Sequence, residues 1–247
     1  SWDSWNMFTS YRASRFVLAG ALIAVLMLLL GALGSRFGLW SFFVGFYFLF
    51  AGIVVALICA VWGIAALVFS RGAGPIKFRA PFVYGAMLSS LVLATMFVQF
   101  LDASRSPPIH DISTDLIDPP EFDQLIEVRG RNSNDLTYSD EDRQQQAIAY
   151  PAIKTLSTGR DLNESFDRVI AVATSMGWEI VNSDRRAGIV ESTATTFWFG
   201  FKDDVVIRIR AANGASLIDL RSVSRVGMSD LGANAARIAR FLTEFER

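Results

Sequence analysis

Three apolar runs constrain this chain more than any other feature. Phe16 to Gly34, Phe37 to Ser70 and Ala80 to Leu101 contain no Asp, Glu, Lys, Arg or His. A hydrocarbon core about 30 Å thick takes roughly 20 helical residues to cross. Each run is long enough, so residues 1–101 are expected to form a three-helix membrane anchor, with spans at about 16–34, 40–69 and 82–101. The second run exceeds the requirement, which implies tilt or a protruding end.

Basic residues set the expected orientation. Arg12 and Arg15 precede the first run, Arg36 sits alone in the first loop, and Arg71, Lys77 and Arg79 crowd the second. Positive charge is retained on the cytoplasmic side. The N-terminus is therefore expected in the cytoplasm of a bacterial cell. Everything after Leu101 is then periplasmic, beyond a multi-pass inner-membrane anchor.

What the runs lack narrows function. Pumps, proton relays and ion pathways use intramembrane charge, so a transporter or channel is demoted. Small residues recur at four-residue spacing in Gly20 and Ala24, Gly85 and Ser89, and Ser90 and Ala94. Such pairs let helices approach closely. Phe42, Phe43, Phe46, Phe48 and Phe50 crowd the second run and at helical spacing cover most of its circumference, so some must face lipid, pigment or another protein. Trp2, Trp5, Phe8 and Tyr11 recur about every three residues and suggest an interfacial segment, or a contact with a partner.

The net charge of -1 argues against a nucleic-acid partner, which requires a basic surplus. The single cysteine, Cys59, lies in the second apolar run. The rest of the chain has no thiol to pair, bind zinc or attack a substrate.

After Leu101 the character changes. DASRSPPIHDISTDLIDPPEFDQL carries two Pro-Pro pairs around a short acidic segment. Proline and pre-proline restrictions favour extended backbone. Residues 102–160 read as a connector wrapping the domain, with short helices from Glu121 to Arg129 and Glu141 to Ala149. His110, Asp111, Asp115 and Asp118 raise metal or acid–base chemistry, since imidazole and carboxylate suit both. Yet no second histidine exists, and aspartates in such segments commonly cap turns. We expect no metal and no cofactor.

Residues 161–247 read as a compact domain: a helix, four strands, a helix. Asp161 and Glu164 resemble a capping box. Phe166, Val169, Ile170, Ala173 and Met176 then form an apolar stripe ended by Gly177. Trp178 to Ser183 and Ile189 to Thr196 are two strands. Two longer ones meet at Asn213-Gly214, a pair suited to the positive φ of a tight hairpin. That turn pairs Ala212 with Ala215, Arg210 with Leu217, Arg208 with Asp219 and Val206 with Arg221. One face then carries Ile207, Ile209, Ile218 and Leu220. The other carries Arg208, Arg210, Asp219 and Arg221, with Arg225 beyond, and is expected to be a solvated face or one for an anionic partner. Lys202, Asp203 and Asp204 read as a corner. Ser229 or Asp230 is expected to cap a last helix with Leu231, Ala235, Ile238, Leu242 and Phe245 on its apolar face. The fold class is α+β: three transmembrane helices, then an exported four-stranded antiparallel sheet packed by two helices.

Phe197, Trp198, Phe199 and Phe201 alternate poorly. They are either core or a surface for a partner, a membrane or an apolar ligand.

PPIHDISTDLIDPPEF, AYP at Ala149 to Pro151, MGWEIV, TTFWFGFKDDVVIRIR and DLRSVSRVGMSDLGANAARI together resemble the domain-of-unknown-function family numbered 1499, over about Ser106 to the C-terminus. The resemblance implies a bacterial membrane protein with one exported domain, and transfers no active site. The function expected from the residues is that of a non-catalytic accessory or assembly subunit of a larger membrane complex, respiratory or photosynthetic. Its partners would be membrane lipids and that complex. The alternatives are a module binding a lipid or apolar molecule between sheet and helices, and an enzyme using His110 with Asp111 or Asp115.

Overall fold

The structure, a computed structural model, describes residues 11–69, 76–212 and 214–247. The chain forms two compact units. One holds residues 11–101 with Trp198–Gly200; the other holds Asp102–Phe197 with Phe201–Arg247.

The first unit contains α1 (Tyr11–Arg36), α2 (Phe42–Phe69) and the helical length of α3 (Ile76–Arg105) up to Leu101. All three helices are long and apolar enough to cross a membrane. Packing between them runs through small residues. A Cβ on Gly31 would lie 2.6 Å from the Gly45 carbonyl oxygen, and one on Gly85 3.0 Å from the Leu18 nitrogen. Ala24 and Ser89 are also fully buried. Without a hydrophobic drive between helices in lipid, such close backbone approach supplies the packing energy.

The second unit is built on a sheet of six strands, two more than expected. In chain order they are β1 (Asp111–Ser113), β2 (Leu156–Thr158), β3 (Glu179–Asp184), β4 (Ile189–Thr195), β5 (Lys202–Ala212) and β6 (Ala215–Ser224). The two extra strands come from the connector. β1 pairs with β6 at residues 221–223 and β2 pairs with it at residues 216–218, both antiparallel. Neither has a strand-length apolar pattern, and each exists because the free edge of β6 needs partners for its backbone. The connector is thus part of the compact unit.

β5 and β6 pair in the register the turn dictates, Arg208 opposite Asp219 and Ala212 opposite Ala215, with Gly214 at φ +81°. Asn213 lies outside the described residues. β5 starts at Lys202, so Lys202, Asp203 and Asp204 are strand residues and no corner forms there. Two short helices complete the connector, α4 (Gln124–Val128) and α5 (Asp140–Ala149).

Two long helices cover one face of the sheet. α6 (Leu162–Ser175) starts at Asp161, whose carboxylate accepts the N–H groups of Asn163 and Glu164. It ends in a Schellman turn, with Trp178 N–H donating to the Ala173 carbonyl and Gly177 at φ +75°. α7 (Ala233–Glu246) buries Ala235, Ile238, Phe241 and Phe245. It begins later than its sequence suggests. Asp230 accepts from Gly232 N and Asn234 N, so Leu231 precedes the helix and is exposed. The core between helices and sheet is continuous from Phe166, Val169 and Val172 through Ile207, Ile209, Ile218 and Leu220 to Phe241 and Phe245. Trp178 stacks on Phe241 at 5.4 Å.

Candidate functional site

The other face of the sheet gathers the charged chemistry. Its strands present Glu191, Thr193, Asp204, Arg208, Arg210, Asp219 and Arg221. The connector closes over them, so this face is not the solvated surface expected of it. Asp204, Asp219 and Glu191 are fully buried, and Arg221 is 3% exposed.

Asp204 is the centre of one cluster. Arg129 Nη1 donates to its Oδ2 at 2.8 Å, Arg225 Nη2 to its Oδ1 at 2.8 Å, and Thr193 Oγ1 to Oδ1 at 2.9 Å. Burial lowers the Arg129 guanidinium below its ordinary range against the pull of Asp204. Asp219 centres a second cluster. It accepts from Arg210 at 2.6 Å, from Arg208 at 3.2 Å and from Thr155 Oγ1 at 2.6 Å. Asp115 and Asp118 approach the same arginines from the connector, Asp118 at 2.9 Å from Arg208 Nη1.

Asp111 and Arg221 form the third. The guanidinium is bidentate, Nε to Oδ1 at 3.0 Å and Nη2 to Oδ2 at 2.7 Å. Nη2 also reaches the Leu136 carbonyl at 2.6 Å, and the Phe122 and Tyr138 rings lie 5.5 and 5.6 Å away. Burial pushes the Asp111 carboxyl up despite Arg221. Burial also pushes the Tyr138 hydroxyl up, and it donates to Gln146 Oε1. Glu191 does a different job: its carboxylate accepts the N–H groups of Asp123, Gln124 and Leu125 and so caps α4 from the sheet.

These contacts locate the residues singled out in the sequence. Arg208, Arg210, Arg221 and Arg225, expected to face an anionic partner, are each held by carboxylates of the same chain. Arg210 keeps the most solvent access of the four, at 40% for its side chain. His110, Asp111 and Asp115 do not converge on one site, although His110 stays within electrostatic reach of Asp111. Asp111 faces Arg221, Asp115 faces Arg208 and Arg210, and the His110 carbonyl accepts from Ser224 N and Asn234 Nδ2. Among the described residues no three His, Cys, Asp or Glu side chains are grouped to hold a metal ion.

Phe197 and Trp198 are exposed, at 68% and 53%, while Phe199 and Phe201 are half-buried. Phe199 belongs to the first unit, its ring 5.0 Å from that of Phe46. Tyr11 is exposed with Arg15 over its ring. Trp2, Trp5 and Phe8 lie outside the described residues.

Sequence reasoning missed Glu191, Asp203, Asp204, Arg129 and Arg237. Asp203 pairs with Arg237 on the helix side of the sheet, where Asn234 Oδ1 also accepts from Ser222 Oγ. The available signal was alternation: Asp203 and Asp204 occupy successive positions of one strand and so face opposite layers.

One cleft of about 260 Å³ opens at the edge of this unit. Its walls are Gly177 and Trp178, Ala194 and Thr195, and the α7 residues Ala233, Ala236 and Arg240.

Fold and site together define an α+β domain that follows three membrane-length apolar helices and seals its charged sheet face with its own connector. The chain belongs to the DUF1499 family, described as a protein of unknown function: residues 111–245, more than half of the chain, match that family's model. No curated protein matches it.

Proposed function

We propose that the protein is a non-catalytic accessory or assembly subunit of a larger inner-membrane complex, respiratory or photosynthetic. Its N-terminus is cytoplasmic and its domain periplasmic, as the basic loop residues indicate. It docks through its apolar helices and its exported domain. The observation that carries this reading is the clamped connector. Asp111, Asp115 and Arg129 come from the connector, and each is tied to a strand residue by an ion pair. A buried pair broken on one side costs about 3–5 kcal/mol, which makes the layer rigid. Charge that a catalytic site would use is committed to this clamp. The clamped layer turns Ile117, Ile126 and Val128 outward, apolar contacts of the kind a partner covers.

The test is purification of the tagged chain from native membranes in mild detergent, followed by mass spectrometry of the intact assembly. Stoichiometric association with a membrane complex is expected, and Ile126→Asp with Val128→Asp should weaken it. A chain that leaves the membrane alone overturns the reading.

A second reading is favoured by the cleft beside Trp178. Its lining sets Met176, Trp178 and Ala194 beside the cationic Arg237 and Arg240, a combination that suits a small anionic amphiphile. A lipid that stays with the purified chain, and is lost in Arg240→Ala, would support it over the subunit reading.

A further inference from the structure

One end of the exported domain exposes large apolar side chains on two loops. The loop between β4 and β5 carries Phe197, and is closed by Thr196 N–H donating to the Phe201 carbonyl at 2.8 Å. The loop after β6 carries Met228 and Leu231, 87% and 61% exposed. The two loops lie at the same end of the sheet, because Asp203 pairs with Ser224 and Arg225 N–H donates to the Lys202 carbonyl.

The chain enters the domain at this same end. Ser229 Oγ donates to the Pro107 carbonyl and Asp230 N–H to the Ile109 carbonyl, and Ile109 is buried in the core. α3 ends at Arg105. From Leu101, the last residue of the charge-free run, four residues continue the helix and four more reach Ile109. At 1.5 Å per helical residue and at most ~3.5 Å per non-helical one, that tether spans no more than about 20 Å. The headgroup layer on each side of the hydrocarbon takes up roughly 5–8 Å of such a distance.

Leu231 adds an independent observation. Its φ is +54°, in the left-handed region that a leucine rarely adopts. The conformation is held by Asp230, which accepts from Gly232 N and Asn234 N, and by Leu231 N–H donating to Ser229 Oγ. An unfavourable backbone is thus imposed on an apolar residue with its side chain turned out, an arrangement associated with functional positions.

From these three observations we infer that this end of the domain is a lipid-contacting surface, with Phe197, Met228 and Leu231 seated in the interfacial layer of the membrane that the third helix crosses. The occupant is the lipid surface, because the tether holds these loops close to it whichever proteins surround the chain. Aromatic and apolar side chains partition favourably into this layer. The inference rests on the third helix crossing the membrane and is independent of any partner complex.

The test uses the full chain with Cys59→Ala, in nanodiscs of phosphatidylcholine and phosphatidylglycerol. Single cysteines at Met228→Cys, Ile117→Cys and Phe97→Cys carry a nitrobenzoxadiazole label. Ile117 lies near Arg208, reached through Asp118, about 20 Å along β5 from Lys202. Phe97 is an exposed residue of α3. Lipids bearing a doxyl group near the headgroup should quench the label at 228 several-fold more than at 117, and aqueous iodide should do the reverse. Equal iodide quenching at 228 and 117, or shielding of 228 from both quenchers, overturns the inference. Failure of the label at 97 to respond to acyl-chain doxyl would instead remove the membrane anchor on which it rests. Unchanged amide protection of β5 in each labelled chain certifies the fold.

Discussion

The side-chain amide of Gln146 lies against the backbone of Ser113: Oε1 accepts the Ser113 N–H at 2.9 Å and Nε2 donates to the Ser113 carbonyl. A glutamine thereby takes the place of a neighbouring strand beside β1, and Tyr138 Oη donates to the same Oε1. Buried backbone groups need such partners. Gln146→Ala should cost about 1–3 kcal/mol, the range for stranding a buried polar group. The check is chemical denaturation, with amide exchange at Ser113 rising more than at β5.

Arg221 and Asp111 should behave as a unit. Arg221→Met leaves a buried, unpaired carboxylate and should cost about 3–5 kcal/mol. Asp111→Leu with Arg221→Met should recover part of that loss. Recovery stays incomplete because the Leu136 carbonyl also loses its donor. A double-mutant cycle measured by denaturation reads the coupling; additive costs would contradict it.

Acid should weaken the connector clamp through Asp115. Burial works to raise its carboxyl, but the N–H groups of Asp118 and Ile117, with Arg208 and Arg210, outweigh it and hold the carboxyl below the ordinary value of 3.8. A depressed folded value means stability that is present above the unfolded value and lost as pH falls through the folded one. Asp115→Asn should therefore be less stable than the parent chain at neutral pH, with the difference shrinking below pH 3.8. Asp111 and Asp230 have the opposite sign, since burial raises both, and their contribution eases on acidification. Unfolding midpoints of Asp115→Asn and the parent chain across about pH 6 to 3 decide it; parallel curves would refute the assignment.

Gly31 should tolerate no side chain. A Cβ there would meet the Gly45 carbonyl oxygen at 2.6 Å and the Phe48 Cβ at 2.9 Å. Backbone cannot yield cheaply, so Gly31→Val should separate α1 from α2. Cysteine cross-linking between those helices in membranes should fall sharply, while Gly159→Ala, with open space around its Cβ and no left-handed backbone, should leave it unchanged.

Legibility tracked how local the physics was. The helices α6 and α7, the hairpin register and the three membrane-length helices were readable because caps, turns and apolar period lie within short windows. α7 still started late: its N-cap is Gly232, at φ +84°, and not Ser229 or Asp230, so Leu231 is stranded outside the helix. Strands β1 and β2 were not readable, being three residues each and existing only as partners for β6.

The sequence by itself determined the division at Leu101, the order of the main elements and the apolar face of the sheet. These follow from composition and periodicity, which neighbours in the chain share. Only the tertiary structure decided the fate of the charged face. Arg221 meets Asp111, Asp204 meets Arg129, and Glu191 caps a helix that begins far upstream of it. A pattern of alternating charge is the same for a solvated face and a sealed one. The difference lies in whether a distant segment arrives with opposite charges at the right register, and that is set by the packing of the whole domain.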